Sequence, residues 1–192
     1  MTTSHPEARP IMGVHHGAYR CRDAEQTIWF YCDVLGLVDP TGIVLEEVTG
    51  TGEHDPYLHL FLRMGNGEFL AFFDAPGSAR PDSFERKDSF DLHWAFEVAN
   101  EADLLAMQKR INSFGVSAVG PVDHGFVKSV YMYDPNGIQM ELTYRVPEHD
   151  RILGEATAAF PAKLAEWTKR TRAQKEAKFG AEAIDRRSRH VS

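Results

Sequence analysis

Cysteine is scarce in this sequence: among 192 residues only Cys21 and Cys32 occur. Two thiols make no disulfide framework, and neither belongs to a His/Asp partner pattern that suggests nucleophilic catalysis, so a reducing compartment is the simpler expectation. Long apolar runs are missing as well. Nothing approaches the ~20 residues that cross a bilayer, and no membrane partner is expected. The opening MTTSHPEARP has no basic stretch followed by an apolar one, which argues against a secretion signal and for a cytoplasmic protein. Positive charge is also short: the net charge is −7, whereas neutralising phosphates needs clustered Lys and Arg, so nucleic acid is not an expected partner. Phosphate-cradling glycine loops and dinucleotide fingerprints are absent too.

What is present is ordinary for a soluble globular chain, with 43% apolar and 26% charged residues and ample length for a core. Charge is unevenly spread. Residues 1–146 hold 11 Lys/Arg against 21 Asp/Glu, whereas residues 147–192 hold 10 against 7, so a boundary is expected at Pro147. The tail reads as a helix, with Phe160, Leu164 and Trp167 on one stripe and Glu166 four residues before Arg170. Pro161 should lie in its first turn or break it, and the last residues, ending RRSRHVS, should fray.

The body repeats itself. "HGAYRCRD" (16–23) lines up with "HWAFEVAN" (93–100): a histidine opens each, an alanine and an aromatic follow, and an N-cap residue, Asp23 or Asn100, closes each. Helical patterns follow both. The first places Ile28, Tyr31 and Leu35 on its inner face and the second Leu104, Met107 and Ile111, with Gly36 and Gly115 as C′ glycines. Then "GNGEFLAFFD" parallels "DPNGIQMELTY", an Asn-Gly turn feeding a strand whose matched positions are Ala71 and Glu141. Each half therefore reads as strand, helix, then several strands.

Strand alternation sorts the polar groups. His16, Ala18 and Arg20 share one face, and so do His93, Ala95 and Glu97, opposite Trp94, Phe96 and Val98. Gln139, Glu141 and Thr143 form another polar face, as do Ser129, Tyr131 and Tyr133. Two readings stand at this point. The polar faces meet water, or they curl around one cavity in which His16, His93 and Glu141 hold a metal. Two imidazoles and a carboxylate suit Fe(II) and also Mn(II), Zn(II) or Ni(II), and a cation removes the cost of burying Glu141.

The runs "HHGAYRCRDAEQTIWFYCDVLGL", "LHWAFEV" and "YMYDPNGIQMELTYR" resemble the vicinal oxygen chelate superfamily, which includes glyoxalase I, extradiol dioxygenases, fosfomycin-resistance transferases, epimerases and bleomycin-resistance proteins. The resemblance implies an α+β fold of paired βαβββ modules, over 11–90 and 91–146, forming a curved mixed sheet around a metal, with a helical extension over 147–192. It implies His16, His93 and Glu141 as ligands of a divalent metal, Fe(II) or Mn(II) first and Zn(II) or Ni(II) as possibilities, and a homodimer acting on a small molecule.

Glyoxalase I normally supplies a fourth ligand where this chain has Ala71, and alanine cannot ligate. Tyr131 stands where extradiol enzymes place a substrate-contacting tyrosine. Their acid/base histidine is replaced near Glu68, and His124 offers a neighbouring imidazole. The leading expectation is an extradiol-type dioxygenase with Tyr131 and His124 catalytic and Arg20 and Glu68 meeting substrate. The alternatives are a glyoxalase- or epimerase-like lyase or isomerase, with Glu68 as base, and a non-catalytic ligand-binding protein. His54 and His59 match no ligand position, and His15 reads as structural or exposed, although a register shift of one residue would exchange its role with that of His16.

Overall fold

The computed structural model describes residues 7–185, so the expected fraying of the final residues falls outside them. They divide into two compact units. One holds both sheets and ends at Tyr144; the other combines 125–127 with the chain from Arg145 onward. Among the described residues no helix is long and apolar enough to cross a membrane.

The first module runs β1 (His16–Cys21), α1 (Ala24–Ile28), β2 (Val38–Glu47), β3 (His54–Arg63) and β4 (Phe69–Asp74). The second runs β5 (His93–Glu97), α2 (Glu101–Ser113), β6 (Val119–Asp123), β7 (Val127–Tyr133) and β8 (Gln139–Arg145). Each forms a four-stranded mixed sheet, in orders β1-β4-β3-β2 and β5-β8-β7-β6. This is the α+β architecture of paired modules.

The strand register makes the internal repeat physical. Parallel β1 and β4 set His16 against Phe69 and Ala18 against Ala71; parallel β5 and β8 set His93 against Gln139 and Ala95 against Glu141. Both final hairpins close with the same bond, Met64 N–H to Glu68 O at 2.8 Å and Asp134 N–H to Ile138 O at 3.0 Å. Counting back from those bonds, Phe61 takes the place of Tyr131, and His59 that of Ser129.

Both N-caps form as expected: Asp23 Oδ1 accepts from Gln26 N at 2.7 Å, and Asn100 Oδ1 from Asp103 N at 2.9 Å. Gly36 and Gly115 end their helices at φ of 89° and 80°, which a side chain resists. The inner face of the first helix departs from simple periodicity. After Ile28 the chain widens into a π-turn, Trp29–Val34, where Leu35 N–H bonds Phe30 O at 3.0 Å. The wide turn delivers both Phe30 and Tyr31 to the core, with Thr27 and Val34, and leaves Ile28 only half-buried. In α2 the expected Leu104 and Ile111 are buried and Met107 is half-buried.

Each sheet buries its even-numbered residues, Leu60, Leu62, Leu70 and Phe72 in one and Val130, Met132, Met140 and Leu142 in the other. Each such side chain contributes roughly 1.5–3 kcal/mol. A buried polar clamp joins the modules. Tyr31 OH donates to Asp134 Oδ2 at 2.9 Å, Asn136 Nδ2 donates to Thr27 Oγ1 at 3.2 Å, and Asp134 Oδ1 accepts from Ile138 N at 2.7 Å. The Asp-Pro-Asn-Gly turn thus does more than reverse the chain. Its Gly137 has φ 80°, and a Cβ there would stand 2.3 Å from Glu85 O.

In the second unit α3 (His149–Phe179) runs 31 residues straight through Pro161, against the expected first-turn position or break. The proline removes one ladder bond, and the long helix on both sides absorbs the loss. Phe160, Leu164 and Trp167 lie exposed on one stripe. Arg170 sits 4.7 Å over the Trp167 ring, and the i,i+4 ion pairs are Arg151–Glu155 and Arg172–Glu176.

Candidate functional site

The polar face of the second sheet carries a cavity of about 310 Å³, lined by Ser89, Phe90, His93, His124, Tyr131, Gln139 and Glu141. Its residues come from β5, β7, β8 and the segments before β5 and β7, and alternation turns the strand residues toward it. Glu141 is only 7% exposed. Its Oε1 accepts from Ser129 Oγ at 2.5 Å, and Ser129 Oγ also lies 3.0 Å from Thr143 Oγ1.

The tautomer of His93 follows from its partner. Nδ1 lies 2.7 Å from Ser89 O, a carbonyl that only accepts, so Nδ1 bears a proton, and in the neutral ring Nε2 is the nitrogen with the lone pair. That nitrogen faces Glu141 Oε2 at 3.9 Å, beyond hydrogen-bond reach. Gln139 Oε1 is buried on the same wall with no donor. His93 Nε2, Glu141 Oε2 and the Gln139 amide oxygen therefore line one cavity. Two donors 3.9 Å apart can both reach one cation at ~2.1 Å, and a ring nitrogen backed by a carbonyl is the arrangement that orients a histidine ligand. The residues present fit a divalent cation at His93 and Glu141.

A proton-carrying pair stands beside them: His124 Nε2 and Tyr131 OH are 2.7 Å apart. Burial, with the Glu141 carboxylate nearby, raises the Tyr131 phenol above its ordinary pKa, so it stays protonated at neutral pH.

Of the residues singled out in the sequence, His93, Glu141, Tyr131 and His124 come together here. The other three do not join them, and among the described residues no three His, Cys, Asp or Glu side chains group to hold a metal. His16 lies on the first sheet, its Nδ1 2.8 Å from His15 Nδ1 and its ring 5.5 Å from that of Phe61. Arg20 lines a separate cavity on that sheet, bonded to Ser78 Oγ at 3.1 Å and Ala75 O at 3.4 Å. Glu68 sits at the β3–β4 turn, accepting from Val14 N at 3.1 Å and Asn66 Nδ2 at 2.9 Å. It borders a third, mostly apolar cavity of about 700 Å³ with Met64, Trp94, Met107 and Leu142. Gln139, Ser129 and Ser89 escaped the sequence reading as site residues. Alternation put Gln139 and Ser129 on the correct faces, whereas no local signal marks a carbonyl such as that of Ser89.

The cysteines are inert. Burial, with Asp74 nearby, pushes the Cys21 thiol up to about 12, and Cys32 is raised for the same chief reason.

Known proteins share this architecture. A glyoxalase/dioxygenase from Nostoc punctiforme superposes with a TM-score of 0.55 at 23% identity, covering 75% of this chain and 99% of its own. A glyoxylase/bleomycin resistance protein/dioxygenase domain from Frankia sp. EAN1pec gives 0.54 at 17% identity, covering 71% of this chain and all of its own. Lactoylglutathione lyase from Agrobacterium tumefaciens gives 0.47 at 20%, with 71% and 96% covered. No curated protein sequence matches the chain. Residues 13–142 match the family described as the Glyoxalase/Bleomycin resistance protein/Dioxygenase superfamily, and on that match, spanning both modules, the chain belongs to this superfamily.

Proposed function

We propose that the cavity on the second sheet is the seat of a metal-dependent reaction on a small molecule offering two adjacent oxygens, and that the reaction is an extradiol-type ring cleavage. The observation that carries this reading is the approach of His93 Nε2 to Glu141 Oε2 at 3.9 Å, with the His124–Tyr131 pair at 2.7 Å on the same wall. His93 and Glu141 would hold a divalent metal, Fe(II) or Mn(II) first, which would supply Lewis acidity and a template for the substrate oxygens. Gln139 offers a third oxygen from this wall. His16 enters as a ligand only through its equivalence to His93 in the repeat.

The chain's own part is positioning and proton transfer. Ser129 fixes one oxygen of Glu141 and leaves the other toward His93. Tyr131, held as a phenol, donates to a substrate oxygen, and His124 takes up or returns the proton through its 2.7 Å contact. Phe90, 98% exposed at the rim, offers an apolar face to a ring. Two thiols with no framework support a cytoplasmic setting, and the exposed stripe on α3 supports a homodimer.

Oxygen uptake by anaerobically Fe(II)-loaded protein, offered a panel of catechols, tests the reaction. Uptake with ring-cleaved product is expected. Conversion of 2-oxoaldehyde hemithioacetals without oxygen moves the protein to the lyase and isomerase branch, and full metal content in His93→Ala ends the metal assignment. Metal content of His16→Ala and Gln139→Leu then decides which supplies the third donor.

A further inference from the structure

The first sheet carries its own cavity, and its chemistry differs from that of the metal-type site. Alternation turns Tyr57, His59 and Phe61 of β3 and Phe73 of β4 to the face shared with Arg20. The rings form a wall: Phe61 to His59 is 4.2 Å between centroids, His59 to Phe73 4.1 Å at 25°, and Tyr57 to Phe73 5.8 Å. All four are half-buried, so their outer faces stay open. At the end of this wall lies a cavity of about 310 Å³ that includes Arg20, Asp55, Tyr57, Phe73 and Ser78. That volume is at the lower bound for small-molecule sites.

Two opposite charges share this small space with no ion pair between them among the described residues. Among the described residues Arg20 bonds through Nη1, to Ser78 Oγ at 3.1 Å and Ala75 O at 3.4 Å, and the guanidinium has further N–H donors. Asp55 forms no ion pair with it among the described residues. Its carboxylate lies over Gly77, where an added Cβ would come within 2.2 Å of Oδ1. The Tyr57 hydroxyl is 3.1 Å from Thr49 Oγ1, which steadies that ring at the mouth.

A guanidinium, a carboxylate and an aromatic wall in one cavity complement a ligand carrying an anion, a cation and a ring. We propose that this cavity binds an aromatic zwitterion of the α-amino acid class. Arg20 and Ser78 receive its carboxylate, Asp55 its ammonium, and the Phe73–Tyr57 wall its ring. The site is independent of the metal reading, since none of its residues lines the His93 cavity.

Isothermal titration of the whole protein with L-phenylalanine tests the proposal, with phenylacetate and phenethylamine as probes lacking one charge each. One saturable site is expected, weakened about tenfold or more in Arg20→Gln and in Asp55→Asn, with both single-charge probes weaker by a similar factor. Circular dichroism checks that the variants fold, and Tyr57→Leu provides a charge-neutral second probe of the ring wall. Absence of saturation up to roughly 10 mM overturns the proposal, as does unchanged affinity in Arg20→Gln or phenethylamine binding as tightly as phenylalanine.

Discussion

The two sheets are one scaffold filled twice, with opposite results. Position by position, His16 answers to His93, Phe69 to Gln139, Ala71 to Glu141, Phe61 to Tyr131 and His59 to Ser129. Backbone register and the buried faces correspond; only the outward odd-numbered residues diverge. One copy has become aromatic around Ala71 and the other polar around Glu141, with the serine that orients its carboxylate. Duplication thus separates the two tasks a site must perform. A register that repeats keeps side chains aimed, and each copy is then free to carry different chemistry. A carboxylate at the Glu141 position is tolerable because Ser129 donates to it.

The largest expected effect follows from making the second face resemble the first. Glu141→Ala, which copies Ala71, should weaken Fe(II) or Mn(II) binding by at least about a hundredfold, while apo stability changes by under ~1 kcal/mol because Ser129 keeps Thr143 as a partner. Equilibrium dialysis and urea unfolding measure both. Metal retained in this variant would collapse the contrast between the faces. Tyr131→Phe copies Phe61 and should lower turnover about a hundredfold, or ~2.7 kcal/mol of barrier, with metal content unchanged. A loss of metal in parallel with activity would make Tyr131 part of the ligand architecture instead.

A third change addresses the clamp that ties the copies together. Asp134→Asn should cost about 1–3 kcal/mol, because an amide cannot accept from Tyr31, Asn136 and Ile138 together. The cost should depend on pH. Burial raises the Asp134 carboxyl above its ordinary value of 3.8, so the folded chain keeps a proton that the unfolded chain has released. Stability from this group is complete below that value and is lost as pH rises through the folded pKa. The gap between wild type and Asp134→Asn should therefore widen on acidification from about pH 7 toward 4. A gap that widens with rising pH would show that its donors overcome burial. The smallest effect concerns Cys21: with its thiol at about 12, native protein should show no alkylation there at mildly alkaline pH, and rapid labelling would mean that the first module opens readily.

By itself, the sequence determined what short-range physics controls. The N-caps at Asp23 and Asn100, the glycine stops at Gly36 and Gly115, the alternating strand faces and the repeat were legible because each depends on residues within a few positions of one another. The sequence placed His93 and Glu141 on polar strand faces, and the parallel pairing of β5 with β8 brought the two to one cavity. The π-turn was not legible: i→i+4 and i→i+5 bonding differ little locally, and the core's demand for both Phe30 and Tyr31 decides between them. Pro161 was misjudged in the same way, because one lost bond weighs little in a helix of 31 residues. Tertiary structure alone decided that His16 stands apart from His93, that Arg20 faces an aromatic cavity, that Ser89 O sets the His93 tautomer and that the Asp-Pro-Asn-Gly turn clamps α1. Those are contacts between residues far apart in the chain, and they are set by how two packed modules meet, which no periodicity along one strand encodes.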